Sequence, residues 1–178
     1  VSYLPTFGEV KMELQLAQPE LPDSLLGEAF SIWRELFGEF AFAESDQSMP
    51  EVLGDLLRKK GMRLAVAESC TGGTLASLLT SVSGASDWFT GGMVPYSEKM
   101  KESWLDIPSG ILRTHSVVSA EVALELAKAV RRKSGADIGI GITGTAEVKP
   151  GDADYGKPGI WVATRFEPSR PKRALDEI

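Results

Sequence analysis

Along EVKMELQL (residues 9–16), apolar Val10, Met12, Leu14 and Leu16 alternate with Glu9, Lys11, Glu13 and Gln15. A period of two predicts a half-buried strand. The period changes in PDSLLGEAFSIWRELFG, where Leu25, Leu26, Ala29, Phe30, Trp33, Leu36 and Phe37 recur at helical spacing and Gly38 supplies the stop. EFAFAES (39–45) reads as a second short strand. A strand–helix–strand unit this small buries little surface alone. It is expected to lean on the rest of the chain, a partner subunit or a domain absent from this sequence.

A second region starts at residue 48, so the chain divides into a small module at 1–47 and a larger domain at 48–178. Ser48 and Glu51 have capping-box spacing, followed by the stripe Val52, Leu53, Leu56 and Leu57 and the stop Gly61. RLAVA (63–67) predicts a buried strand. Leu75, Leu78, Leu79 and Val82 then predict a helix. GGMVPY (91–96) reads as a strand and SEKMKESWL (97–105) as a short helix. Ser119 caps a longer helix carrying Val122, Ala123, Leu126, Ala127 and Val130, closed by Gly135. ADIGIGITG (136–144) alternates isoleucine with glycine or polar residues, and GIWVATRF (159–166) is a further strand. Strands alternating with helices predict an α/β fold with a sheet covered on both faces, and no internal repeat is visible.

Composition agrees with a globular chain: 43% of residues are apolar and 25% charged. No apolar run approaches membrane-spanning length, and the start lacks the basic and apolar regions of a signal peptide. The chain opens on Val, which suggests a trimmed piece. One cysteine, Cys70, excludes an internal disulfide. With the single histidine, His115, it leaves any metal site to carboxylates, so no metal and no cofactor are expected. A reducing cytoplasm is the expected compartment. Net charge is −6, with eleven acidic and five basic residues in 1–60 and fourteen of each in 61–178. The acidic front disfavours nucleic acid. Arg131, Arg132 and Lys133 suit the end of a helix, where cations complement the macrodipole.

Candidate chemistry centres on VAESCTGG (66–73), which follows a strand and opens a helix. In an open α/β sheet that crevice is a common ligand position, and a helix start offers unpaired N–H groups to an oxyanion or phosphate. Gly72 and Gly73 suit a close approach to the backbone. The bland reading is that Ser69 or Thr71 is a helix N-cap and the glycines serve packing. In VPYSEKMK, a Ser97 N-cap makes Tyr96 N′ and Lys101 N4, the two positions that meet in a hydrophobic staple. A lysine beside a tyrosine favours the phenolate. A phenolate, or a desolvated lysine, can accept a serine proton. The alternative is a lysine stem lying along a tyrosine ring at the surface. His115 reads as a structural histidine in a loop, Cys70 as a buried thiol, and Trp88 and Phe89 as core. Thr143, Gly144 and Thr145 open a Gly/Pro-rich loop that either binds phosphate or simply connects.

VAESCTGG, SGASDWFTGGMVPYSEKMKESWL, SVVSAEVALELAKAVRRKSGADIGIGITGTA and KPGIWVA together resemble the C-terminal domain of the CinA competence/damage-inducible family. That domain is also found alone as bacterial nicotinamide-nucleotide amidase. The resemblance runs in order over roughly residues 50–165. Residues 1–47 are similar to the KH-like or ferredoxin-like connecting module of the long CinA proteins, where a molybdopterin-binding-like domain precedes it. The resemblance implies a three-layer α/β/α domain with a mostly parallel or mixed sheet, forming a homo-oligomer. It implies hydrolysis of the carboxamide of nicotinamide mononucleotide to nicotinate mononucleotide and ammonia, part of pyridine nucleotide salvage. By motif, Ser69 would be the nucleophile, Tyr96 and Lys101 the activating pair, and Thr71, Gly72 and Gly73 with Thr143, Gly144 and Thr145 the substrate contacts. No cofactor and no membrane are implied. The family's G-I-A-G-P-x-G-G stretch reads GTAEVKPGD here, with Glu147, Asp152 and Asp154 where a substrate phosphate would sit. That departure favours an alternative, a non-catalytic nucleotide-binding or protein-interaction module. The family also continues beyond RALDEI with a further strand and helix.

Overall fold

The computed structural model describes residues 2–6, 9–18, 20–145 and 160–167. It divides into two units, Val1–Gln47 and Ser48–Ile178.

In the first unit, strand β1 (Ser2–Thr6) pairs antiparallel with β2 (Glu9–Glu13), and helix α1 (Ser24–Phe37) follows. The alternating stretch is therefore a strand only over its first five residues, and Val10 on its apolar face is 60% exposed. The expected order of strand, helix and strand is replaced by a hairpin and a helix, and 39–45 contains no strand. Gly38 ends α1 at φ +48°, and a short 3-10 turn runs over Gly38–Phe40. Arg34 on α1 then grips both carboxylate oxygens of Glu44 at 2.6 Å, which folds the segment back along the helix. A two-point guanidinium–carboxylate clasp holds the chain where a sheet ladder would have to displace it. Along α1, Phe30, Trp33 and Phe37 meet edge to face at 6.0 and 6.3 Å.

The second unit opens with α2 (Met49–Lys60), whose capping box forms: the Glu51 carboxylate accepts the Ser48 N–H at 2.7 Å. Gly61 closes α2 in the left-handed conformation. The remaining elements are β3 (Leu64–Ala67), α3 (Thr74–Thr80), β4 (Phe89–Met93), α4 (Glu98–Leu105), α5 (Ser109–His115), α6 (Ala120–Ser134), β5 (Ile138–Gly144) and β6 (Ile160–Phe166). The strands form one mixed sheet in the order β4-β3-β5-β6. β3 is parallel to both β4 and β5, and β6 is antiparallel to β5. α5 went unanticipated, and it makes His115 the last residue of a helix and not part of a loop.

Alternation along β3 sorts the two cores. Leu64 and Val66 pack with Leu57 of α2, Leu79 of α3 and Trp88. Ala65 and Ala67 face the opposite layer, with Leu105, Leu112, Val122, Leu126 and Val130 from α4, α5 and α6. This is a three-layer α/β/α arrangement. The glycines of IGIGITG lie in register with those alanines, Gly139 opposite Ala65 and Gly141 opposite Ala67. Both lie directly under α6: an added Cβ would stand 2.1 Å from the Ala127 carbonyl oxygen at Gly139 and 2.1 Å from the Ala123 carbonyl oxygen at Gly141. The alternation of large and absent side chains in β5 therefore lets α6 approach one face while isoleucine fills the other. Trp88 is fully buried, as expected of core, with Phe89 half-buried beside it.

Candidate functional site

β3 is the strand at which the sheet changes direction, since β4 lies on one side of it and β5 on the other. Ligands of open α/β sheets collect beyond the strand ends at such a point. A cavity of about 400 Å³ opens there. Ser69 and Cys70 line it from the end of β3, and Tyr96, Ser97, Glu98 and Lys101 from the segment after β4. Thr143 and Gly144 close it from the end of β5.

Lys101 carries the geometry. Ser97 is the N-cap of α4, its hydroxyl accepting the Met100 N–H at 3.2 Å, so Lys101 falls at N4 and turns inward. Its side chain is 1% exposed. Nζ stands 3.0 Å from Ser69 Oγ, 3.1 Å from the Pro95 carbonyl and 3.1 Å from the Tyr96 carbonyl. Burial pulls the lysine below its ordinary value of 10.5, while Glu98 and Cys70 push it back more weakly. Deprotonation therefore leaves an amine with two N–H donors and one lone pair. The two carbonyls can only accept, so they take the two N–H groups. The lone pair is then left facing the Ser69 hydroxyl, which is the arrangement of a base and a nucleophile.

Tyr96 enters this site through its main chain. Its side chain is 68% exposed, and the carbonyl, not the phenol, meets Nζ. The expected staple of ring and lysine stem is replaced by a contact through the Tyr96 carbonyl.

The loop 68–73 is built around Glu68, which the sequence reading passed over. Its carboxylate is fully buried and accepts the N–H groups of Leu75 and Ala76 at 3.0 and 2.8 Å. The first turn of α3 is thus occupied by the protein's own carboxylate, and neither of those amides is left for a ligand. Gly72 N–H donates to the Ser69 carbonyl and Thr74 N–H to the Thr71 carbonyl. Among the described residues, the amides of Cys70, Thr71 and Gly73 meet no acceptor. Gly73 is the N-cap of α3, at φ +102°, so neither Ser69 nor Thr71 has that role. Thr71, Gly72, Gly73 and Thr145 are not on the cavity wall, and the Thr71 hydroxyl is buried without a described partner. Thr143 is on the wall, but its hydroxyl is held by the Val117 carbonyl at 2.7 Å. Glu147, Asp152 and Asp154 lie outside the described residues. His115 stands apart, with Nδ1 3.8 Å from Glu121. A signal for Glu68 was available: an acidic residue between a buried strand and a helix start has only that helix's amides to satisfy it.

An open mixed sheet with helices on both faces, and a serine–lysine pair beside a cavity at the parallel strand ends, defines this unit as an α/β/α domain with a cavity at its switch point. Residues 46–172 match the CinA C-terminal domain, and the chain belongs to the CinA family. It is 45% identical over 125 residues to a protein of Moorella thermoacetica described as competence-damage inducible, covering 70% of this chain and 30% of that protein. It is 38% identical over 153 residues to a CinA-like protein of Synechococcus sp. strain RCC307, covering 85% of this chain and 36% of that one. The chain therefore spans about a third of the length of these curated relatives. The crystal structure of a competence-damaged protein (CinA) superfamily member from Escherichia coli superposes with a TM-score of 0.62 at 28% identity, covering 74% of this chain and 79% of that one.

Proposed function

We propose that this CinA domain is an amidohydrolase that converts nicotinamide mononucleotide to nicotinate mononucleotide and ammonia through an acyl-enzyme. The observation that carries the reading is the buried Lys101 amine, held by two carbonyls and 3.0 Å from Ser69 Oγ. The choice of substrate rests on the resemblance to the nicotinamide-nucleotide amidases.

The chemistry follows from the groups present. Ser69 Oγ bonds to the carboxamide carbon as its proton passes to the lone pair of Lys101 Nζ. The carbonyl oxygen becomes an oxyanion, for which the amide of Cys70, a residue of the cavity wall, is a donor without a described acceptor. Lys101, now an ammonium, returns the proton to the departing nitrogen. The C–N bond breaks, ammonia leaves, and an ester to Ser69 remains. Water then gives a proton to Lys101 and attacks the ester carbon, and the acid and free Ser69 are regenerated. Tyr96 acts through its carbonyl on the lysine.

A second reading is a non-catalytic nucleotide-binding or protein-interaction module, favoured by Glu147, Asp152 and Asp154 in the 145–154 segment. The two separate on one experiment. The amidase reading predicts ammonia release from nicotinamide mononucleotide by the folded protein and its loss in Ser69→Ala. Binding without ammonia release, unchanged in Ser69→Ala and Lys101→Ala, supports the module.

A further inference from the structure

The cavity wall carries two charged side chains among the described residues, Lys101 and Glu98. Lys101 is 1% exposed and its nitrogen is already surrounded by Ser69 and two carbonyls, so it has no N–H group left to give a ligand. Glu98 is different. It is exposed, stands first in α4 and lines the cavity, so of the two it is the charged side chain open to a bound molecule. Tyr96, 68% exposed, lines the same cavity, as do Val117 and Val118. A carboxylate beside an aromatic face and an apolar patch favours a flat group with positive charge: the first attracts a cation directly, the second through its quadrupole. An anionic group is repelled from the same place.

We infer that Glu98 is a specificity-determining residue that selects amides whose acyl group is a flat cation, such as a quaternary pyridinium carboxamide, over uncharged analogues of the same shape. The inference rests on the amidase reading for its biological meaning, but its physical content is a binding preference. An ordinary structural role for Glu98 also exists, since an acidic residue in the first turn of a helix complements the dipole. That role does not discriminate between ligands.

The test uses nicotinamide mononucleotide, with its cationic ring, and the dihydro form, with the same carboxamide and phosphate on an uncharged ring. Dissociation constants for both are measured by calorimetry in Ser69→Ala and in Ser69→Ala combined with Glu98→Gln, with thermal melts of each. The single variant is expected to favour the cationic ring. Glu98→Gln is expected to weaken the cationic ligand about tenfold, as for loss of one charge contact at the ligand, and to leave the dihydro form within about twofold. Added salt should erode the preference only where Glu98 is present. Equal weakening of both ligands, or no change in either, overturns the inference. Failure of the amidase reading has a separate signature: no ammonia from the protein with Ser69 intact, whatever the binding preference.

Discussion

Lys101 Nζ and Ser69 Oγ, 32 residues apart in sequence, lie 3.0 Å apart in a site that solvent barely reaches. The contact joins the end of one parallel strand to the first turns of the helix after its neighbour. Two carbonyls fix the lysine's other bonds, so the pair has one chemical orientation once the amine is neutral.

Removing the amine should therefore remove proton transfer while leaving the serine in place. Lys101→Met is expected to lower kcat for ammonia release by about 10²–10⁴-fold, the usual contribution of a positioned base, with a smaller effect on KM. Steady-state kinetics beside a binding isotherm separate the two. A kcat within a few-fold of the parent would remove Lys101 from the mechanism.

The same lysine ties both activity and stability to pH. Burial lowers its pKa in the folded protein below the ordinary 10.5. Activity should rise as pH climbs through that lowered value and the amine loses its proton. For stability, the unfolded chain binds more protons than the folded one between the lowered value and 10.5. Stability conferred by the neutral amine is thus missing below the lowered value and recovered as pH rises through this window. Denaturant melts across the window should show the upward slope, and Lys101→Met should flatten it.

Glu68 ties the loop that carries Ser69 to α3. Glu68→Ala leaves two helix amides without their acceptor, at a cost of about 1–3 kcal/mol. Glu68→Gln, which keeps an acceptor oxygen of the same reach, should recover part of this. Urea midpoints for the three proteins give the order directly. Equal midpoints for Ala and the parent would show that the amides find other partners.

Gly141, like Gly139, lies on β5 directly under α6. A methyl there would stand 2.1 Å from the Ala123 carbonyl oxygen and 2.5 Å from the Ala127 nitrogen, both main chain. Gly141→Ala should therefore force helix and sheet apart and cost about 1–3 kcal/mol or more. Because Gly144 borders the cavity on the same strand, activity should fall together with the melting temperature. An unchanged melting temperature would mean that α6 shifts without penalty.

Much of the second unit was legible because its signals are local. The capping box at Ser48 and Glu51, the stripe of α6, the buried run LAVA and the alternation of IGIGITG each depend on residues a few positions apart, and each formed where expected. The first unit was read less well. β1, with a proline inside five residues, shows no alternation, and EFAFAES had strand-like composition but pairs with no strand. Strand formation needs a partner, and composition does not name one.

The sequence by itself determined that a serine at a strand-to-helix turn and a lysine one turn into a capped helix belong to one domain of this family. It determined the faces of α6 and β5 as well, since periodicity is enough to decide which side of an element is apolar. Only the tertiary structure decided which atoms meet. Parallel pairing of β3 with β4 brings residues 69 and 101 together. The extended backbone at Ser97, φ −88° and ψ 159°, sets the turn into α4, where the carbonyl of Tyr96 faces the lysine and its ring remains largely exposed. Burial of Lys101 and the seating of Glu68 on the α3 amides are likewise products of packing, because desolvation and long-range hydrogen bonds exist only after the layers close.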